Sequence, residues 1–197
     1  MRIRAAALAA ALLCLPLTAC GGDDEGDQVT SEPKKQSSAP ASQGDSEPEA
    51  APSAERTPDV AAIGDTITLK GQEDGEQLDV TVKKWLDPAK GADEFNTPAE
   101  GKRWVAAQIQ LTNTGSAVQD DTPSNGVQVA DADGQRFDAT YGDIAAGPQM
   151  PSGLKLPKGD KALGWIVIEV PESSEITTLQ YTMNSGFAEQ TGQWKVK

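Results

Sequence analysis

The chain has 197 residues, with 30 acidic and 17 basic side chains, two cysteines, no histidine and a formal charge of −13. Without histidine it lacks the usual general base near neutral pH, the Ser-His and Cys-His nucleophile pairs and the commonest transition-metal ligand. So acidic a surface repels phosphates and anionic headgroups, which excludes nucleic acid as a partner; the acidity serves solubility or forms an acidic docking face.

Arg2 and Arg4 precede an apolar run from Ala5 to Leu15, and Leu17-Thr18-Ala19-Cys20 follows. A positive start, a greasy segment and then small residues make a secretory signal peptide, here residues 1–19, which is set aside in reasoning about the fold. The run is too short to span a hydrocarbon core, which needs about 20 residues. Leu-Thr-Ala-Cys resembles the lipobox of bacterial lipoproteins; the alternative is an ordinary secreted protein. The resemblance implies that Cys20 becomes the N-terminus and carries a thioether-linked diacylglycerol. Two acyl chains suffice for stable attachment to the outer face of the cell membrane. Cys14 lies inside the leader, so no thiol pair remains for an internal disulfide and the fold must rest on its core.

Residues 20–59 change composition completely. After Cys20 they hold ten acids, three bases, no aromatic residue and one β-branched aliphatic, Val29. Such a segment buries too little apolar surface to offset ordering entropy, so it is expected to be a disordered acidic tether. It spans on the order of 35 Å as a coil and about 130 Å when stretched. Its Ser/Thr-Pro content also suits O-glycosylation.

Residues 60–197 read as one β domain carrying twenty acids and twelve bases. Gly64–Lys70 alternates with Ile67 and Leu69 on one face, and Leu78–Trp85 does so with Leu78, Val80 and Val82 inward. Arg103–Asn113 sets Val105, Ala107, Ile109 and Leu111 opposite Gln108, Gln110 and Thr112. Two-residue alternation is the mark of a half-buried strand. Gly126–Asp131 and Gln135–Thr140 flank Ala132-Asp133-Gly134, a hairpin signal with glycine where positive φ is needed. Leu163–Val170 is almost wholly apolar, as a central strand is, and ends at Pro171. Thr178–Met183 and Gln193–Lys197 complete the set. The expectation is all-β: an antiparallel immunoglobulin-like β-sandwich of about 7–9 strands preceded by a disordered linker.

Three motifs also follow one another in a familiar order. Gly101-Lys-Arg-Trp104-Val leads through a strand into Asn113-Thr-Gly115; Asp131-Ala-Asp-Gly134 runs on to Phe137; Gly159 precedes Gly164-Trp-Ile-Val-Ile-Glu-Val-Pro171. Across most of residues 64–183 this order resembles a domain of unknown function found in bacterial lipoproteins and secreted proteins, related to the immunoprotective extracellular antigen of mycobacteria. The resemblance implies an immunoglobulin-like sandwich outside the cytoplasm and carries over no catalytic residue. Read from the residues alone, Asn113 and Gly115 suit a strand-ending turn because both tolerate left-handed backbone. Trp104 and Trp165 are expected to cover the core or, alternatively, to form a ligand platform.

Chemistry-bearing candidates are few. Asp131-Ala-Asp133-Gly134 begins like a calcium loop but lacks the third acid and the distal glutamate, so it reads as a turn or a weak surface calcium site that Asp120 and Asp121 join if the fold brings the loops together. Among the acids only Glu169 sits in an apolar strand, and its neighbours Ile168 and Val170 point the other way. Gly-x-Ser-x-Gly does not occur. The chain is therefore expected not to be an enzyme, and no cofactor is implied. Two loops exceed what connection needs: Leu86–Gly101, with Phe95, and Tyr141–Leu154, with Ile144 and Met150. Ile144 and Met150 either plug the open end of the sandwich or form a contact patch. The leading expectation is a surface-anchored, non-enzymatic protein-binding or adaptor module. It meets the membrane through its diacylglyceryl anchor and another envelope protein through Phe95, Ile144 and Met150. The alternative is an extracytoplasmic domain that binds a small solute or calcium.

Replacing Cys20 by alanine is expected to move the protein from the detergent-rich to the aqueous phase on detergent phase separation, and unchanged partitioning would remove the anchor.

Overall fold

The computed structural model describes residues 60–197. The leader, Cys20 and the acidic segment through residue 59 lie outside the described residues, and so do the expectations made for them. All eight strands expected from the sequence form, and three short ones join them. In chain order the strands are β1 (Ala61–Ala62), β2 (Thr66–Lys70), β3 (Gln77–Leu86), β4 (Lys102–Asn113), β5 (Gln119–Asp121), β6 (Val127–Asp131), β7 (Arg136–Thr140), β8 (Leu154–Leu156), β9 (Lys161–Pro171), β10 (Ile176–Thr182) and β11 (Thr191–Lys195). Short 3₁₀ turns at Pro123–Gly126 and Asn184–Gly186 are the only helical pieces among the described residues.

The strands form two layers. One carries β2-β3-β4-β9 and the other β1-β11-β10-β6. β7 belongs to both: its first half pairs with β6 through Arg136–Asp138, and its last two residues pair with β9 at Ile168 and Val167. Every pairing between neighbouring strands is antiparallel except β1 with β11. β5 and β8 make a separate two-stranded ribbon. Its Leu154 and Leu156 are buried in the main core.

The inward residues of both layers meet in one cluster. Leu78, Val80 and Val82 of β3 and Val105, Ala107, Ile109 and Leu111 of β4 face Val127 and Val129 of β6, Leu179 and Tyr181 of β10 and Trp194 of β11. At about 25 cal/mol per Å² of apolar surface, burial on this scale is the dominant favourable term for a domain with no cysteine among its described residues.

Two irregularities change which face a residue occupies. Pairing of β3 with β4 skips Lys83, after which Trp85 stands opposite Ala107 and Leu86 opposite Ala106. Simple alternation from Val82 would send Leu86 inward; the bulge sends it to the outer face and keeps Trp85 against the core. A similar shift in β10 lets Ile176, Leu179 and Tyr181 all be buried.

The expected turn at Asp133-Gly134 forms, with Gly134 at φ 82° and Asp131 N–H donating to Gln135 O at 3.0 Å. The reason given for Asn113 and Gly115 does not hold, because neither adopts positive φ. Asn113 is 1% exposed. Its Nδ2 donates to Ala117 O (2.8 Å) and Leu156 O (2.7 Å), and its Oδ1 accepts from Gly115 N–H (2.9 Å). One side chain thereby ties β4 to the β5–β8 ribbon. Gly115 is required by proximity instead: a Cβ there would lie 2.1 Å from Gly75 O.

Asn113→Ala strands the buried Leu156 carbonyl and the part-buried Ala117 carbonyl and is expected to cost roughly 2 kcal/mol in urea unfolding; an unchanged midpoint would show the ribbon to be held otherwise.

Candidate functional site

The outer face of the β4–β9 pair is apolar near the start of β4, which an antiparallel sheet with one wet face would not require. Trp104, Ala106, Trp165 and Val167 form a second cluster there with Ala89 and Ile144, and Leu86 packs against it. The two tryptophans are buried as expected, but on the opposite side of the sheet from the main core. The long loops between β3 and β4 and between β7 and β8 supply the cover.

The loops are stitched to each other. Ala92 N–H donates to Asp143 O and Ala145 N–H to Lys90 O, each at 2.9 Å. Asp143 N–H donates to Asn96 Oδ1 at 2.9 Å. Gly91 pairs with Ile144. A clamp holds the base of the first loop: Arg103 Nε donates to Asp87 Oδ1 at 2.7 Å and Nη2 to Asp87 Oδ2 at 2.9 Å. The guanidinium also donates to Pro171 O, Glu172 O and Ser174 O. The hydrogen bond to Asp87 holds Arg103 above its ordinary pKa. With its donors engaged in this way, Arg103 ties β3, β4 and the β9–β10 turn together as a structural clamp. Nothing in sequence spacing marked it.

At the tip of the first loop, Asp93 Oδ1 accepts from Phe95 N–H (2.9 Å), Asn96 N–H (3.0 Å) and Asn96 Nδ2 (2.9 Å). The Asn96 side chain first, then the Phe95 amide, hold the Asp93 carboxyl below its ordinary pKa. The loop so braced presents Phe95 with 87% of its surface exposed. Tyr141, which opens the second loop, is 81% exposed and went unremarked in the sequence.

Ile144 and Met150 do not join this surface. Ile144 is 4% and Met150 6% exposed. Ile144 packs under the loops on Trp104 and Trp165, sealing the outer face of the sheet rather than an open end. Met150 belongs to the main core, its N–H donating to Trp165 O at 2.8 Å. That close approach depends on Gly164, where a Cβ would meet Met150 Cα at 2.4 Å. The sequence left plug and contact patch open, with the plug favoured; burial removes the patch.

Three of the four candidate aspartates are engaged by the fold through their carboxylates. Asp131 is buried, and its Oδ1 accepts from Asp133 N–H (3.1 Å) and Gln135 N–H (2.8 Å). Asp120 pairs with Lys155 at 3.0 Å. Asp121 accepts from Ser185 Oγ (2.7 Å) and Ser185 N–H (3.1 Å). Among the described residues no three acidic side chains converge into a metal-binding group, so Asp120, Asp121, Asp131 and Asp133 do not assemble the weak calcium site. Glu169 accepts from Ala99 N–H (3.0 Å) and Trp104 Nε1 (3.3 Å), which ties it to the first loop. Burial, and secondarily the charge of Asp121, push the Tyr181 hydroxyl far above its ordinary pKa, so it stays protonated.

Sandwich topology and the loops laid over its outer face define the class: a small all-β sandwich domain. Residues 69–192 match the Domain of unknown function (DUF4352), and the chain belongs to that family. No curated protein matches the sequence. Among solved structures, the yjhA protein of Bacillus subtilis is similar at 15% identity, over 70% of this chain and 100% of its own, with a TM-score of 0.50. MPT63, a secreted protein of Mycobacterium tuberculosis, is similar at 18% identity over 69% of this chain and 95% of its own, with a TM-score of 0.48. The ycdA protein of Bacillus subtilis, described as a putative lipoprotein, is similar at 12% identity over 65% of this chain, with a TM-score of 0.48. The similarity spans only 38% of ycdA. At these identities the likeness concerns the fold alone.

Ile144→Ala is expected to lower unfolding free energy by about 2–4 kcal/mol, since it empties the space between two tryptophans and the loops. Equal denaturant midpoints for wild type and variant would place Ile144 on the surface after all.

Proposed function

We propose that the protein is a non-enzymatic binding module of the bacterial envelope. In this reading Cys20 anchors it to the outer face of the membrane, residues 20–59 hold it clear of the surface, and the sandwich engages another envelope protein. The reading rests on one observation above the others: Phe95 is 87% exposed on a loop whose backbone is fixed by Asp93 and Asn96. A large aromatic side chain on a pre-ordered loop binds with little entropy left to lose, which is how interface anchors concentrate affinity. Asp93 and Glu94 precede it directly and Asp143 lies on the adjoining loop, so the partner surface that fits is an apolar pocket with a basic rim.

The test is crosslinking capture on intact cells with the wild-type lipoprotein, Cys20→Ala and Phe95→Ser. The reading expects one reproducible partner for the wild type and at least a tenfold loss for Phe95→Ser, with thermal stability unchanged because the side chain touches little of its own domain. Undiminished capture by Phe95→Ser would overturn the role of this loop.

A further inference from the structure

A cavity of about 160 Å³ opens where β7 leaves β9. Its origin lies in strand pairing. β7 holds the β9 edge at Val167 and Ile168, while the 148–150 segment takes it at Trp165, where Trp165 N–H donates to Pro148 O at 3.0 Å. Ile166 falls at the seam between the two. Cavity size suits a small solute, being below the roughly 300–1,000 Å³ of clefts that hold drug-sized ligands.

The lining has a consistent chemistry. Ala139, Met150, Ile166 and Val167 give an apolar floor beside the Trp165 indole, and Tyr141 stands at the rim. Around them are the Ser124, Thr140 and Ser152 hydroxyls and the Asn125 and Gln149 amides. Among the described residues the three hydroxyls and the Asn125 amide make no side-chain hydrogen bond, and only Gln149 is engaged, donating to Asp143 at 3.2 Å. No carboxylate, ammonium or guanidinium lines the cavity, in a domain where 32 of 138 residues are charged. Unused hydroxyls and amides beside aromatic faces suit a neutral ring with one apolar face and several hydroxyls. An ion would find no countercharge, and a hydrocarbon would leave the polar groups unpaired on desolvation.

We propose that this cavity binds one neutral sugar unit, with Tyr141 stacking on its apolar face and the hydroxyls and amides receiving its polar edge. The unit is a free sugar or the terminal residue of a glycan. This proposal does not depend on the Phe95 surface, since a protein partner and a sugar would occupy different parts of the loops.

Trp165 lines the cavity, and its indole N–H is buried with no acceptor in the fold, so its resonance serves as the reporter. The experiment is titration of ¹⁵N-labelled Cys20→Ala chain with the methyl glycosides of glucose and of N-acetylglucosamine, followed by ¹H–¹⁵N spectra. The proposal expects a saturable, millimolar shift of the Trp165 indole N–H and the Thr140 amide with at least one probe, while the Trp194 indole stays still. Tyr141→Ala is expected to weaken the response about tenfold without lowering the thermal midpoint. A chitin oligosaccharide serves as the second arm. A response to the glycosides alone assigns a free sugar, and a response that includes the oligosaccharide assigns a chain end. Absence of a saturable Trp165 shift with all probes, or equal responses from wild type and Tyr141→Ala, would overturn the site.

Discussion

Everything else in the domain hangs on the pairing of β4 with β9. The ladder runs without a break from Lys102 opposite Pro171 to Thr112 opposite Lys161, and both of its faces are apolar where it starts. One face, through Val105, Ala107, Ile166 and Ile168, joins the main core, and the other, through Trp104, Ala106, Trp165 and Val167, would lie in water. Large aromatics each carry about 150–250 Å² of surface, so leaving two of them wet would forfeit several kcal/mol. The β3–β4 and β7–β8 loops are long because they must fold back over this face. The same demand explains why they are ordered by backbone hydrogen bonds to each other and why Ile144 points in.

That double burial also shapes what the surface can do. A loop pinned by Arg103–Asp87 at its base and by Asp93 at its tip has little freedom to lose when something binds. Its one large exposed aromatic is therefore a fixed feature of the surface. On the other edge of β9, the segment that brings Met150 into the core leaves β7 only two residues of pairing, and the seam opens as a cavity. The covering loops and the cavity thus have a single origin in how β9 shares its edges.

How much of this was legible depended on the length of each signal. Strands of five residues or more carry enough positions for alternation, an apolar run or a flanking turn to show, and all eight were readable; β1, β5 and β8 are two or three residues long and carry too few. The Asp133-Gly134 turn was legible because a local backbone angle determines its residues. The bulge at Lys83 was not, since the gain from sending Leu86 outward exists only when the loops and tryptophans are in place. Phe95 was readable as a surface candidate from its loop context. Ile144 and Met150 were not separable from it by sequence, because apolar character does not say which side of a loop a residue faces. Arg103 and Asn113 were missed in their actual roles for a related reason: their partners lie at Asp87, Pro171 and Ser174, and at Ala117 and Leu156, distant in the chain or bound through carbonyls that every residue possesses.

By itself the sequence determined the all-β character, the strand order along the chain, the acidic surface, the absence of histidine and thiol chemistry from residues 60–197, and the lipobox-like Cys20. These follow from local periodicity, composition and short motifs, which need no knowledge of what packs on what. Tertiary structure alone decided that the sheet is covered on both sides, that Asp120, Asp121 and Asp131 engage Lys155, Ser185 and the 131–135 turn, and that a cavity opens beside Trp165. Each of those outcomes depends on residues far apart in the chain competing for the same few ångströms, and the residue that wins is set by packing and by which buried polar groups find partners.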